Sequence, residues 1–161
     1  MEITIITGER GAGKTTMLRN YLDRLNSEQE FKVGFYALNV GDLYKIVNIN
    51  RGENAVLCRR NDPEAGNLKL ADFWFDRSVI KLGERWLTEG FEQTDPLFVI
   101  DEIGKFELEG FVWDTVLKKI LAMQKGRLLV TVRKKFLKSV IEKYGLKEPF
   151  YKLKVVEVKA G

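Results

Sequence analysis

Hydrophobic positions along this chain of 161 residues fall into two kinds of run, near-continuous β-branched stretches and stretches with a period near 3.6. Their alternation predicts an α/β fold. Ile3, Ile5 and Ile6 make Glu2 to Thr7 apolar on both faces, as a parallel strand buried under helices must be. Met17, Leu18, Tyr21, Leu22 and Leu25 then recur at helical spacing, predicting a helix from Lys14 to about Leu25. Phe31 to Leu38 alternates and reads as a strand, while Leu43 to Ile49 and Ala55 to Arg59 flank the turn-rich NINRGEN, the pattern of an antiparallel hairpin at one sheet edge. Asn61 to Asn67 is loop by composition, and Leu68 to Phe75 is expected as a second edge strand. Asp76 is placed to cap a helix through Val79, Ile80, Leu82, Trp86 and Leu87, which Gly90 ends. A short apolar strand begins at Leu97, a helical pattern spans Phe111 to Leu121, and Leu128 to Val132 is again a strand. Lys134 to Tyr144 reads as a helix stopped by Gly145, and Tyr151 to Val158 as a closing strand.

Composition narrows this to one globular domain over residues 1–161, since 45% hydrophobic residues in a chain of this length supply a single core. No apolar run is long enough to cross a bilayer, and the first strand opens without a signal-like segment, so no membrane partner and a cytoplasmic location are expected. The lone Cys58 leaves no internal disulfide, and the absence of histidine removes the usual zinc ligand and general base. Chemistry here has to run on carboxylates, Lys, Arg and a metal ion. Charge is uneven: from Lys118 onward there are 13 Lys and Arg against three Glu, in a chain of net charge +4. Such a basic third can hold nucleic acid, offset triphosphate charge or simply face solvent, and nucleic-acid binding is the less favoured of these.

Between the first strand and the first helix stands GERGAGKTT, Gly8 to Thr16, which satisfies Gly-x4-Gly-Lys-Thr in full. Gly8, Gly11 and Gly13 allow a tight turn, and with Glu9, Arg10 and Ala12 they aim backbone N–H groups at phosphates, helped by the positive end of the following helix. Lys14 is placed to reach the β and γ phosphates. Thr15 offers a hydroxyl to Mg2+, a hard cation that takes oxygen ligands, and Thr16 completes the loop.

A second signal is LFVIDEIGKFEL from Leu97, where an apolar strand ends in two adjacent carboxylates, a Walker B pattern. A buried strand delivers Asp101 to the C-terminal edge of the sheet, where it is available to the metal, and Glu102 follows as a candidate to orient and deprotonate the attacking water. The strand Leu128 to Val132 brings Thr131 and Arg133 toward the same edge. Thr131 is a candidate sensor of the γ phosphate and Arg133 a candidate to stabilise developing charge, with Arg10, Arg59 and Arg77 as rivals.

GERGAGKTT, the Gly-Phe-Tyr strand at Gly34 to Tyr36 and DEIGKFEL occur in an order that resembles the small stand-alone P-loop nucleoside-triphosphatases, the cancer-related NTPase family also known from thermophilic prokaryotes. The resemblance implies a P-loop NTPase fold, with a RecA-like, mainly parallel sheet flanked by helices and an antiparallel hairpin extension. It also implies Mg2+-dependent hydrolysis of ATP, GTP, CTP and UTP to diphosphates, with Glu102 as the catalytic carboxylate. On the same ground the family's nucleotide-contacting segment falls on Phe98, Val99, Ile100, Asp101, Glu102, Ile103, Gly104 and Lys105. A GTP switch is disfavoured, because no Asn/Thr-Lys-x-Asp string follows Asp101. A nucleotide or small-molecule kinase is the runner-up, with Arg51, Arg59 and Arg60 as members of a substrate lid. An RNA-binding or regulatory ATP-dependent module has no aromatic-rich motif behind it.

Overall fold

The computed structural model describes residues 1–25 and 30–159. The buried strand at the N-terminus, β1 (Glu2–Gly8), pairs in parallel on both sides, with β8 (Arg127–Arg133) and with the last strand, β9 (Lys152–Val158). Beyond β8 lie β7 (Pro96–Ile100) and β2 (Phe31–Val40), also parallel. The sheet then turns antiparallel through β3 (Leu43–Asn48), β4 (Asn54–Arg60), β6 (Phe73–Phe75) and β5 (Leu68–Leu70), giving the order β5-β6-β4-β3-β2-β7-β8-β1-β9. Five parallel strands thus continue into an extension of four.

The period-two alternation of the central strands sorts their side chains between two faces. Ile6, Leu97, Val99 and Leu129 point to the side covered by α1 (Lys14–Asp23), where Leu18 and Leu22 meet them. Ile3, Ile5, Phe98, Ile100, Leu128 and Val130 point to the other. There they meet α2 (Arg77–Thr88), α4 (Asp114–Met123) and α5 (Leu137–Tyr144). Burial of such a side chain contributes roughly 1.5–3 kcal/mol, so each face commits the register of its strands. Trp113 lies under this second layer against Phe35, ring centres 4.6 Å apart.

Most predicted elements stand where the pattern puts them. The Asp76 carboxylate accepts the Ser78 N–H at 2.9 Å and opens α2, and Gly145 ends α5 in the left-handed region, φ 60°. Four segments differ. Leu68 to Phe75 is not one strand but a tight hairpin of two, turning at Ala71 with φ 55°, and it lies outside the Leu43–Ile49/Ala55–Arg59 hairpin, which is therefore internal to the sheet. Phe111 and Val112 precede α4, which starts only at Asp114, because Val112 has φ 54° and breaks the helical run. A short helix unseen in the pattern, α3 (Lys105–Leu108), follows the paired carboxylates. The predicted end of the first helix at Leu25 exceeds α1 by two residues.

Candidate active site

Three parallel strands, β1, β8 and β7, end side by side, and the loop Gly8 to Thr16 leaves the first of them. Gly11 and Gly13 have φ of 76° and 100°, where a side chain is strained, and a Cβ on Gly8 would stand 2.6 Å from the Val158 carbonyl. The glycines are thus required by the backbone path. The Lys14 ammonium donates to the carbonyls of Gly8 at 3.2 Å and Glu9 at 2.9 Å, the loop's own rim. Partial burial lowers its pKa from the usual lysine value, with the Glu102 and Asp101 carboxylates opposing the shift.

Asp101 directly follows β7 and ties it to α1, β2 and β8. Its Oδ2 accepts the Thr15 hydroxyl at 2.8 Å and the Ala37 N–H at 2.9 Å, and its Oδ1 accepts the Thr131 hydroxyl at 2.5 Å. Burial pushes this carboxyl up, and the three donors oppose the shift. Thr131 is completely buried, so it does not face the open cleft as a phosphate sensor would; it supports Asp101 from the neighbouring strand. Glu102 stands one residue further out, with its Oε1 3.1 Å from Nε of Arg133 at the end of β8. Burial raises the Glu102 pKa, and the guanidinium pulls it back.

The remaining candidates divide. Arg10, Gly104 and Lys105 line the cleft beside Asp101 and Glu102. Phe98, Val99, Ile100 and Ile103 are fully buried and present no surface to a nucleotide; they form the core strand and turn that carry the carboxylates. Arg59 pairs with Asp62, and Arg51 with Glu53 and Glu89, so these two are held away from the cleft and do not assemble a lid with Arg60. Arg77 is exposed at the start of α2 and does not line the cleft.

One residue of the site escapes the sequence patterns. Glu107, in α3, is 4% exposed, and its carboxyl accepts the N–H of Gly104 at 2.8 Å and of Trp113 at 3.3 Å, tying the turn after Glu102 to the start of α4. Burial pushes its pKa up to about 8. Beneath it Asp114 accepts the Tyr144 hydroxyl at 2.7 Å and pairs with Lys143 at 3.0 Å; burial raises the Asp114 pKa, but these partners outweigh it and hold the group low. An acid inside an apolar stretch such as KFELEGFVW is the only local signal such a residue leaves.

The chain is similar to known proteins along most of its length. The chain is 30% identical over 136 residues to the nucleoside-triphosphatase THEP1 of Thermotoga maritima, covering 81% of this chain and 73% of that protein. It is 33% identical over 138 residues to the THEP1 of Saccharolobus solfataricus, covering 80% and 74%. The crystal structure of THEP1 from Aquifex aeolicus superposes with a TM-score of 0.76 at 19% identity, over 99% of this chain and 90% of that one. The solution structure of a human cancer-related nucleoside triphosphatase gives 0.70 at 23%, over 98% and 88%. These last two speak for the fold, a mixed sheet flanked by helices. The model of the NTPase family matches residues 3–159, nearly the whole described chain, and the protein therefore belongs to that family.

Proposed function

We propose that the protein is a P-loop nucleoside-triphosphatase that transfers the γ phosphoryl group of ATP, GTP, CTP or UTP to water. The observation that carries the reading is the 2.8 Å hydrogen bond from Thr15 to Asp101, which joins the GKT turn to the carboxylate strand and sets two hard oxygens side by side. That donor pair fits Mg2+, which takes one or two protein ligands and completes its shell with phosphate oxygens and water. Thr15 and Asp101 would hold the ion, and when bound it would neutralise phosphate charge. Interposition of β8 between β1 and β7 supports the RecA-like reading of the parallel half.

The chain's own groups supply the rest. Backbone N–H groups of Gly11 to Thr15 and the N-terminus of α1 receive the phosphates, and Lys14 adds a cation to them. Glu102 accepts a proton from the attacking water as its oxygen bonds to the γ phosphorus and the bond to the β–γ bridging oxygen breaks. Arg133 holds the Glu102 carboxylate in place at 3.1 Å. Along α1 runs a second cavity of about 610 Å3 whose floor includes Met17, Val156 and Val158, and whose polar members Asn20, Arg24 and Lys154 are exposed and free to re-aim. A base seated there is held by apolar contact, which favours low selectivity, because strong discrimination needs fixed, buried hydrogen bonds.

The test is a product assay on separated nucleotides without any acceptor. Free phosphate should form from all four triphosphates with kcat/KM within about 100-fold of one another. Phosphate release only in the presence of a second nucleotide would replace hydrolysis by kinase chemistry.

A further inference from the structure

The cleft at Glu102 does not end at the catalytic carboxylates. It continues as a chamber between the antiparallel extension and α3, and the whole cavity, catalytic end included, has a volume of about 230 Å3. A hydrolytic site needs room for a water, whose share of liquid volume is about 30 Å3, and a cavity of about 150 Å3 already accepts benzene. The cavity is thus larger than hydrolysis requires.

Its walls say what would fill it. Tyr44, Phe73, Phe75 and Phe106 come from β3, β6 and α3 and pack edge to face, with centroid distances of 5.4 Å for Tyr44 with Phe73, 6.0 Å for Phe73 with Phe106 and 5.3 Å for Phe75 with Phe106. Such a frame keeps its shape, which suits a flat ring. Cations stand along the same cavity. Arg60 is committed to Asp72 and Arg133 to Glu102, but Arg10, Lys105 and Lys135 form no ion pair among the described residues. Three carboxyl groups, Asp101, Glu102 and Glu107, line it as well, and each is engaged by donors of the protein. The unbalanced charge is positive.

We infer that this chamber is a second ligand site, separate from the phosphate loop, for a small planar aromatic molecule carrying an anionic group. The ring lies among Tyr44, Phe73 and Phe106, and the anion meets Lys105 and Lys135. The importance of this placement next to the attacking water rests on the hydrolase reading of Glu102, whereas the binding itself does not.

Naphthyl phosphate is a suitable probe, followed by its own fluorescence with no nucleotide or metal present. Saturable one-to-one binding is expected to the native protein. Binding should weaken about tenfold or more in the Lys105→Ala/Lys135→Ala double variant, both residues being exposed, since each rim charge contributes modestly. It should persist in Lys14→Ala, which disables the phosphate loop. Inorganic phosphate should compete poorly, because it lacks the ring. The inference is overturned if no saturable binding is seen, if Lys14→Ala abolishes it, if the double variant binds as tightly as native, or if inorganic phosphate competes as well as unlabelled naphthyl phosphate. Failure of triphosphate hydrolysis would leave all four of these readings intact, so the two conclusions fail separately.

Discussion

Arg133 offers the sharpest test of how the site works, because its two candidate roles differ in magnitude. Its guanidinium is 3.1 Å from Glu102, and the two side chains are 27% and 33% exposed. A pair that open to solvent contributes about 1 kcal/mol. If Arg133 acts by holding the carboxylate, Arg133→Gln should cost about fivefold in kcat. An arginine that instead meets the charge developing on the transferred phosphoryl group is worth roughly 1,000-fold or more. Glu102→Gln keeps the shape of the side chain and removes the carboxylate proposed as base, and should lower kcat by about 100-fold or more while leaving nucleotide affinity unchanged or higher. The double variant decides. With a positioning role there is nothing left to position once the base is gone, so Arg133→Gln should add little to Glu102→Gln. The assay is phosphate release at saturating Mg-ATP, with affinity measured separately by a fluorescent nucleotide. A loss near 1,000-fold for Arg133→Gln that multiplies with that of Glu102→Gln would refute the positioning role.

Other variants test other parts of the structure. Lys14→Ala should reduce kcat by at least about 100-fold, since it deletes the loop's side-chain cation, and near-normal turnover at saturating Mg-ATP would remove the loop from the mechanism. Glu107 has a folded pKa raised to about 8 from an ordinary 4.5. Its favourable contribution is therefore complete below pH 4.5 and is lost as pH rises toward 8, at most about 1.4 kcal/mol per unit. Urea unfolding should show native stability falling through that window relative to Glu107→Gln, and a difference independent of pH would contradict it. Gly34 has φ 121°, and an added Cβ would meet the Val99 carbonyl at 2.0 Å. Gly34→Ala should thus cost about 3 kcal/mol or more by thermal or urea unfolding, and a loss below about 1 kcal/mol would show that β2 and β7 can part there cheaply.

What could be read beforehand was whatever is encoded locally. The glycines and Lys14–Thr15 lie within one turn of chain, and Asp101 with Glu102 ends a run of apolar residues, so spacing alone exposes both. Their meeting is not local, yet it follows once both strands are parallel and neighbours end at one edge. Thr131 shows the limit: its strand was legible, but its direction, inward to Asp101 rather than outward, depends on a hydrogen bond between strands 30 residues apart. The turn at Ala71 and Asp72 carries no glycine or proline, so one long strand was the natural reading of Leu68 to Phe75. Glu107 was hidden for a different reason. A buried acid is tolerable only because two backbone N–H groups converge on it, and that convergence belongs to the fold. The aromatic chamber likewise collects residues from three elements separated by other strands and helices, a grouping that no window along the chain contains.

The placement of β1 between β8 and β9 also governs how the molecule comes into being. The strand that leads into the GKT loop leaves the ribosome before the rest of the sheet, yet both its hydrogen-bonding edges wait for partners that begin at Arg127 and Lys152. Throughout most of synthesis it is an unpaired, strongly apolar β-branched segment. The meander from β2 to β5 needs only near neighbours in sequence and is able to form early, but pairing β1 with Arg127–Arg133 and Lys152–Val158 has to close the longest loops of the sheet, which makes for slow folding and a period of exposure to aggregation. The nascent chain should accordingly acquire nucleotide affinity abruptly, only after β9 has cleared the exit tunnel, and shortening the chain before Lys152 should leave an adhesive edge beside Gly8 rather than a smaller working enzyme.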